Sequence, residues 1–423
     1  MSELPVYLDC AATTPVDPRV AARMAQVLSS DAEFGNAASS THHYGDVAAA
    51  LIESARAQVA AAVGALADEV IFTSGATEAN NLAIFGVARY YQDRGRHIVT
   101  SRTEHKSVLD PCAELERRGW KVTYLVPAHG GIVDPSQLAA ALRPDTVLVS
   151  LMQVNNEIGV MHDLPALAEV CARHGDTYLH VDAAQAVGKC SVNFAAAGVD
   201  LMSLSAHKAY GPKGVGALLV SKRGGLGAAR GVVGGSVHDG APGTGRKAPV
   251  HLSPLQLGGG QEHGLRSGTL ATHQIAGFGL AFELANETLA TELRRITDLR
   301  DRLWRGLEAI GGVLRNGDAQ RAVPHLLNVS FEGVEGESLL AAVSSRIAVS
   351  TGSACTSATQ EPSYVLRALG RSERSSESSL RFGLGRFTAP GDVDTAISVL
   401  SQEVPRLRRI AGPRIADHGI GGA

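Results

Sequence analysis

The sequence lacks the features of a secreted, disulfide-stabilised or membrane-spanning protein. Its five cysteines are an odd number at wide spacings and form no Cys-x-x-Cys pair, so neither a disulfide framework nor a zinc knuckle is indicated. The first residues, MSELPVYLDC, show no basic segment followed by an apolar run, and no apolar stretch is long enough to cross a bilayer. We therefore expect a cytoplasmic protein that does not enter a membrane and binds no resident metal.

An excess of positive charge is also lacking. The formal net charge is -3, so no overall field recruits nucleic acid. Charged residues make up 19% and apolar residues 44% of the chain, which is typical of a globular protein and not of a disordered one. Lysine is scarce, with only seven in the chain, so each lysine is a candidate when a reactive amine is sought.

The length of 423 residues suggests two domains that share a cleft. Seven strand patterns alternate with helical patterns up to residue 222, which predicts an α/β fold with a mainly parallel sheet between helices. A long helical stretch from Gly268 to about Ile310, with interruptions, leads into a C-terminal α+β part. We place a large domain at 17–265 and a small domain at 1–16 plus 266–423. The Gly-rich segment 224–245 is predicted to be a flexible surface insertion.

The segment Thr73-Ser74-Gly75-Ala76-Thr77-Glu78 stands where a predicted strand ends and a helix begins. Small residues let backbone N–H groups approach an anion, and a helix N-terminus favours negative charge. This pattern is compatible with a phosphate-binding turn, to which the hydroxyl of Thr77 can add a donor. The alternative is an ordinary helix start with Ser74 or Thr77 as the N-cap.

Asp182 ends an apolar strand, in the stretch His180-Val181-Asp182-Ala183-Ala184-Gln185. An acid at this end of a parallel strand points into the crevice where open α/β sheets bind ligands. A buried carboxylate needs a cationic partner, and a protonated pyridine nitrogen would be one. The alternative is an Asp that only starts a loop.

Lys208 follows a strand and precedes a Gly/Pro loop, in the segment SLSAHKAYGPKG. A lysine in a water-poor cleft can lose its proton and form a Schiff base, and Ser205 and His207 are suited to donate to a phosphate. Lys213 is the competing lysine, but its Gly-flanked turn favours a structural role. A phosphate turn, an acid for a ring nitrogen and a Schiff-base lysine, in this order, are the set that pyridoxal 5'-phosphate (PLP) chemistry requires.

Cys355 lies among small polar residues, in Ser-Thr-Gly-Ser-Ala-Cys-Thr-Ser, without a bulky neighbour on either side. Such a sequence predicts a solvent-reachable loop and makes Cys355 the candidate for a reactive thiol. Cys171, by contrast, stands in an apolar context and is predicted to belong to the core. Cys10 receives no role.

Arg381 and His105 are weaker candidates when each is taken alone. Arg381, in Leu-Arg-Phe-Gly, is flanked by apolar residues and could capture a substrate carboxylate, although a structural ion pair is equally compatible. His105 follows a strand and could stack on a planar cofactor and move protons, although most single histidines are structural.

These residues and their surroundings resemble the cysteine desulfurases of the IscS/NifS type, within the class V aminotransferase family of fold-type I PLP enzymes. The resemblance runs from Tyr7 to about Arg409. The matching stretches are long and follow one another in order: LDCAATTPVDPRV, FGNAAS, FTSGATEANNLAI, TEHKSVLD, VNNEIGV, HVDAAQAVGK, SAHKAYGPKGVGAL, GLRSGT, GSACTS, EPSYVLRALG and LRFGLGRF.

The resemblance implies a role for each matching residue. Lys208 would carry PLP, Asp182 would pair with its pyridine nitrogen, and Gln185 would contact its phenolic oxygen. His105 would stack on the ring and transfer protons, while Asn156 and Arg381 would bind the substrate carboxylate. Cys355 would be the nucleophile. The phosphate would be held by Ala76, Thr77, Ser205 and His207, with Thr269 reaching the phosphate of the partner subunit.

The implied activity is the PLP-dependent removal of sulfur from L-cysteine, which gives L-alanine and a persulfide on Cys355. The implied assembly is a homodimer with shared active sites. The sulfur would serve iron–sulfur cluster assembly, tRNA thiolation or both, through an iron–sulfur scaffold or another acceptor protein, and Cys355 could transiently ligate a partner's cluster. The tail RIADHGIGGA differs from the one with which related enzymes hold a scaffold. An aminotransferase, a selenocysteine lyase and a non-catalytic sulfur carrier are the alternatives.

Overall fold

A computed structural model of the chain describes residues 4–30, 33–128, 130–222, 248–351 and 362–411. Cys355, the Gly-rich segment 224–245 and the C-terminal tail lie outside these ranges. The predictions made for them therefore stay predictions.

The strands within these ranges are β1 (Val6–Tyr7), β2 (Val70–Thr73), β3 (His97–Ser101), β4 (Lys121–Leu125), β5 (Thr146–Met152), β6 (Tyr178–Asp182), β7 (Leu201–Ser205), β8 (Gly216–Val220), β9 (Val313–Arg315), β10 (Leu326–Phe331), β11 (Ile347–Ala348) and β12 (Ser379–Gly383). The helices are α1 (Pro18–Leu28), α2 (His43–Ala62), α3 (Ala76–Tyr91), α4 (Lys106–Arg117), α5 (Pro135–Ala141), α6 (Leu164–Arg173), α7 (Thr272–Glu308), α8 (Gly336–Val343), α9 (Tyr364–Ala368), α10 (Glu373–Glu377) and α11 (Pro390–Ala411).

The central sheet has seven strands in the order β2-β8-β7-β6-β5-β3-β4. All its neighbouring pairs are parallel except those of β8, which runs antiparallel to β2 and β7. The link from β7 to β8 is too short for the crossover that a parallel pair needs, so β8 returns alongside β7 in the opposite direction. The mainly parallel seven-stranded sheet predicted from the sequence is confirmed.

Caps and prolines fix where the connecting helices begin. Asp134 accepts a hydrogen bond from the Ser136 backbone N–H (2.7 Å) ahead of Pro135, and Asp163 caps α6 through the Ala166 N–H (3.2 Å). Aspartate at the N-cap followed by proline is a strong helix start. The six strands other than β8 run in one direction and deliver their carboxyl ends to one edge of the sheet, where ligands bind in such folds.

A second, smaller core surrounds the sheet β12-β10-β9 and the pair β1–β11, in which β1 joins the N-terminus to the C-terminal part of the chain. Helix α7 contributes Phe278 and Phe282 to the larger core, which packs against the central sheet, and Leu299 and Leu303 to this second core. The division into a large and a small domain, with its boundary at residue 265, stays a prediction. Within the described residues, no helix is both long enough and apolar enough to span a membrane.

Candidate active site

A cavity of about 400 Å³ opens at the carboxyl ends of β5, β6 and β7. Its walls come from the starts of α3 and α4, from the loops after the strands and from β12. Ten of the predicted site residues line it, and the structure thus brings together Ala76, Thr77, His105, Asn156, Asp182, Gln185, Ser205, His207, Lys208 and Arg381.

The start of α3 forms one end of this cavity. Gly75 occupies the N-cap at φ 150°, a conformation that favours glycine, and no side chain caps the helix. Neither Ser74 nor Thr77 is therefore the N-cap that the alternative interpretation required. The uncapped N-terminus leaves backbone N–H groups and the positive end of the helix dipole directed at the cavity, as an anion site requires.

The opposite wall at this end of the cavity is formed by β7 and the short 3₁₀ helix that follows it. Ser205 is the last residue of β7, and His207 and Lys208 lie in the 3₁₀ turn. His207 Nδ1 is 3.1 Å from Thr13 Oγ1. Burial and the nearby charges of Lys208, Lys213 and Lys189 lower the pKa of His207 to about 4, so it is neutral at physiological pH and can still donate one hydrogen bond.

Lys208 is half-buried and extends across the cavity. Its Nζ donates to the backbone carbonyls of Ala11 (2.7 Å) and Ala12 (2.6 Å), which follow β1. This arrangement holds the amine at a fixed position beside the uncapped end of α3. Lys213, interpreted from the sequence as structural, lines the cavity too, and it is solvent-exposed.

Asp182 ends β6 and faces the same space while 6% exposed. Its Oδ2 accepts from Asn80 Nδ2 (2.8 Å), and its Oδ1 accepts from the Ala184 backbone N–H (3.0 Å). Both donors are neutral, and Asp182 makes no ion pair within the described part of the chain. A buried carboxylate in this state is suited to a cationic ligand atom. Asn80, which the sequence did not reveal, lies one helical turn after Thr77 and also donates to Ser107 Oγ (2.8 Å).

His105 is the N-cap of α4 and lines the cavity. The Ser107 backbone N–H donates to its Nδ1 (3.2 Å), and Ser107 Oγ lies 2.8 Å from the same atom. Because Nδ1 accepts, the neutral ring carries its proton on Nε2.

Another side of the cavity is formed by Arg381 on β12 of the smaller sheet and by Asn156, which follows β5 of the central sheet. Arg381 is 1% exposed and donates to Asp9 Oδ1 (2.9 Å) and to the Asn156 carbonyl (3.0 Å). The ion pair allowed as the alternative is therefore present. Arg381 Nε and Asn156 Oδ1 are buried, however, and have no hydrogen-bond partner among the residues described. These two atoms give the cavity an additional donor and an acceptor.

Two buried ionisable residues beside the cavity were not identified from the sequence. Glu157 accepts a hydrogen bond from Ser363 Oγ (2.5 Å). Burial raises its pKa to about 7, although the Ser363 hydrogen bond and the nearby charges of Arg381 and His105 act to lower it. Lys189 donates to Gln185 Oε1, and burial is the main cause that lowers its pKa to about 7. Buried charges of this kind concentrate at functional sites.

Thr269 does not line this cavity. It is exposed and lines a second cavity of about 410 Å³, between the middle of α2 and the loop before α7. Cys355 lies outside the described residues, between Thr351 and Pro362.

The cavity has the donors and charges that PLP requires. The uncapped α3 suits a phosphate, the unpaired Asp182 suits a protonated ring nitrogen, and the amine of Lys208 suits a covalent link to an aldehyde. Arg381 Nε and Asn156 Oδ1 remain for an amino-acid substrate. The residues present therefore fit the cofactor.

Comparison with known proteins gives the same assignment. The sequence pattern of the family described as aminotransferase class-V matches residues 6–395. Cysteine desulfurase IscS of Escherichia coli is 50% identical over 409 residues, which are 97% of this chain and 95% of that protein. A solved NifS-like protein superposes with a TM-score of 0.83 at 32% identity and covers 96% of this chain and 100% of its own. SspA in complex with cysteine superposes with a TM-score of 0.75 at 34% identity, covering 90% and 99%.

Proposed function

The chain belongs to the class-V aminotransferase family of PLP-dependent enzymes, and from this premise we propose that Lys208, Asp182 and Cys355 together remove sulfur from L-cysteine. The chain is a cysteine desulfurase, which releases L-alanine. One observation carries the assignment of the site. A single cavity joins the Lys208 amine, an uncapped helix N-terminus and a buried carboxylate that has only neutral partners.

The resemblance assigns each cofactor contact, and the geometry is compatible with the assignments. Lys208 Nζ would bind the cofactor covalently, and Asp182 would keep its ring nitrogen protonated. Gln185 would donate to its phenolic oxygen. When bound, PLP supplies an electron sink for the carbon skeleton of the amino acid. The phosphate is held by the α3 N-terminus at Ala76 and Thr77, and by Ser205 and His207.

The substrate contacts come from β12, from the loop after β5 and from the start of α4. Arg381 Nε and the Asn156 side chain bind the carboxylate of L-cysteine, which orients the amino acid. His105 stacks on the cofactor and transfers a proton at Nε2, because Nδ1 is held by Ser107. The Cys355 thiolate would attack the substrate sulfur, so that an S–S bond forms and the C–S bond breaks with its electron pair passing to the substrate carbon. That carbon takes up a proton to give alanine, and a persulfide stays on Cys355.

The test is the release of alanine and sulfide from L-cysteine in the presence of a thiol reductant. We expect the wild-type protein to bind PLP and turn over, and the Cys355→Ala variant to bind PLP equally well but release neither product. Mass spectrometry without reductant should find one added sulfur atom on the Cys355 peptide. Cys171→Ala is the matched control, because Cys171 is a core thiol, 2% exposed, and should keep the activity.

Full activity of Cys355→Ala would disprove the thiol relay. A wild-type protein that binds PLP but leaves L-cysteine unchanged would disprove the assigned chemistry, and amino transfer would then be the reaction to test.

The partners follow from the same proposal. The exposed Thr269, which lines a separate cavity, supports a homodimer in which each chain completes the phosphate site of the other. The persulfide sulfur passes to an iron–sulfur scaffold or to an acceptor for tRNA thiolation, and Cys355 could ligate a cluster during that transfer. The wide cysteine spacing supports a cytoplasmic, reducing location.

A further inference from the structure

Lys189 is a second lysine at the active site, and it lies behind the cavity instead of lining it. It is 4% exposed and occupies the turn after β6. In the described residues, the hydrogen-bond partner of its Nζ is Gln185 Oε1, and no carboxylate pairs with it. A buried cation without a counter-ion costs stability, so its retention requires an explanation at the site that it contacts.

The contacts of Lys189 lead directly to the cofactor lysine. Gln185 Nε2 donates to the Ala11 carbonyl (2.8 Å), and Lys208 Nζ donates to the same carbonyl (2.7 Å). One amide and one carbonyl therefore connect the two lysines. Gln185 itself lines the cavity, whereas Lys189 does not.

The chemistry of these groups determines which way the Gln185 amide faces. The Ala11 carbonyl can only accept, so it takes its hydrogen bond from Gln185 Nε2, and the amide presents its oxygen to the Lys189 Nζ donor. Its nitrogen then has to face Ala11 and the cavity. Of the two N–H groups on Nε2, one bonds the Ala11 carbonyl, and the second remains available to an acceptor in the cavity.

We propose that Lys189 is a positioning residue, which holds Gln185 so that the amide N–H and not the amide oxygen meets the phenolic oxygen of bound PLP. This inference rests on the proposed placement of PLP against Gln185. It adds to that placement the residue that helps to set which end of the Gln185 amide faces the cofactor. Without Lys189, only the Ala11 carbonyl would hold the amide in this orientation, and the N–H would meet the phenolic oxygen in a smaller fraction of molecules.

Charged and titratable groups surround Lys189 from every element packed against it. Two nearby thiols could in principle carry negative charge, but burial raises the pKa of both to about 12, so they stay neutral. The remaining neighbours are cationic or neutral. The whole set comprises Cys10, Cys190, Lys208, Arg381, His207 and His325. Hence no described neighbour carries a negative charge that would balance a proton on Lys189. The contact that the packing provides is the hydrogen bond that Lys189 donates to Gln185.

The colour change of bound PLP with pH provides the readout. A donor at the phenolic oxygen stabilises its negative charge and so favours loss of the proton that the PLP–lysine linkage carries. In Lys189→Met this donor is no longer held in place, and the midpoint of the colour change should rise by about one pH unit. Lys189→Leu, which also lacks a donor, should give the same direction.

The decisive experiment is a double-mutant cycle on purified holoenzyme, with Gln185→Ala, Lys189→Met and the double variant titrated by absorbance. Gln185→Ala alone should raise the midpoint, and adding Lys189→Met should then cause little further change. Lys222→Met is the matched control, because Lys222 pairs with Asp68 at the surface, and its midpoint should equal that of the wild type.

Two results would overturn the inference. If Lys189→Met shifts the midpoint equally with and without Gln185, or leaves it unchanged while Gln185→Ala raises it, Lys189 does not act through Gln185. If Gln185→Ala itself leaves the midpoint unchanged, the placement of PLP against Gln185 is wrong, and the role of Lys189 is rejected with it.

Discussion

At the scale of single residues, the environment of Asp182 limits what it can do. Its two oxygens accept hydrogen bonds from an amide side chain and a backbone N–H, and neither donor carries charge. A carboxylate that only shaped the loop would not need to be ionised in this position. A carboxylate that keeps a ring nitrogen protonated must itself be ionised.

The Asp182→Asn variant should therefore bind PLP much more weakly. Loss of one partner of a buried charge pair costs about 3 kcal/mol or more, which corresponds to a fall in PLP affinity of about 100-fold or more. Titration of PLP into the apo protein measures it. The control is Asp200→Asn, since Asp200 is also buried but accepts from the Leu179 N–H away from the cavity. Equal PLP affinity in Asp182→Asn and wild type would contradict the assignment.

Lys189 makes a second prediction at this scale, on the pH dependence of stability. Burial lowers its pKa from 10.5 to about 7, so between these values the unfolded chain holds a proton that the folded chain has released. The free energy of unfolding then rises with pH across this window, by roughly 1.4 kcal/mol for each unit of the shift.

In apo Lys189→Met this contribution is absent. The variant should be more stable than the wild type at pH 6, and the difference should shrink toward pH 10. Urea unfolding at several pH values measures it, with Lys222→Met as the surface control. A variant that is less stable than the wild type at pH 6 would show that Lys189 is not a destabilising buried cation.

At the scale of elements, one buried ion pair connects α2, β2 and the loop that leads to Thr269. Arg56 donates to Glu262 through both terminal nitrogens (2.9 and 2.7 Å) and to the Val70 carbonyl (2.7 Å). Glu262 also accepts from the Phe72 N–H (2.6 Å) and adopts a positive φ of 48°. The pair thus fixes an irregular loop onto the central sheet.

Arg56→Met should lower the free energy of unfolding by about 3–5 kcal/mol, because it leaves the Glu262 carboxylate buried and unpaired. The double variant Arg56→Met/Glu262→Leu should recover part of this loss. Thermal unfolding of the apo protein compares the three. Arg143→Met is the control, since its pair with Asp145 is exposed and should contribute little. A double variant less stable than Arg56→Met alone would contradict this account.

The pattern of elements was largely predictable from the sequence, and its errors have physical causes. The long C-terminal helix was expected to be interrupted, yet α7 is continuous from Thr272 to Glu308. Its glycines serve close packing instead of breaks. A Cβ at Gly279 would lie 2.7 Å from Ala55 Cα of α2, and one at Gly277 would lie 2.7 Å from Met24 of α1. Where helices pack closely because glycine has no side chain, the contact adds no apolar residue to the periodic pattern of the sequence.

The site was predictable where a motif follows one strand, as at Asp182 or Lys208, because parallel strands end at one edge. Residues that lie behind the cavity wall and act through the residues that line it could not be predicted. Lys189 stands in the quoted stretch HVDAAQAVGK, but lysines are almost always exposed, and only the three-dimensional arrangement shows it buried against Gln185. Asn80 was missed for a similar reason, since an amide inside a helix carries no sign of its partner.

At the scale of the whole molecule, the separation of Thr269 from the Lys208 cavity bears on the assembly. If Thr269 serves the partner's phosphate, each active site combines Lys208 of one chain with Thr269 of the other. Thr269→Ala should then weaken PLP binding by about 10-fold or more, as the loss of a hydrogen bond to a charged group does. The homodimer of Lys208→Ala should be inactive.

Mixed dimers of these two variants decide between the two arrangements. Their one site that pairs Lys208 with the partner subunit's Thr269 is entirely wild type, so at limiting PLP a mixed dimer, isolated through two different affinity tags, should show about half of the wild-type activity. If Thr269 instead acts within its own chain, the only site with a lysine lacks the threonine. The mixed dimer would then do no better than half of the Thr269→Ala homodimer, and the shared site would be rejected.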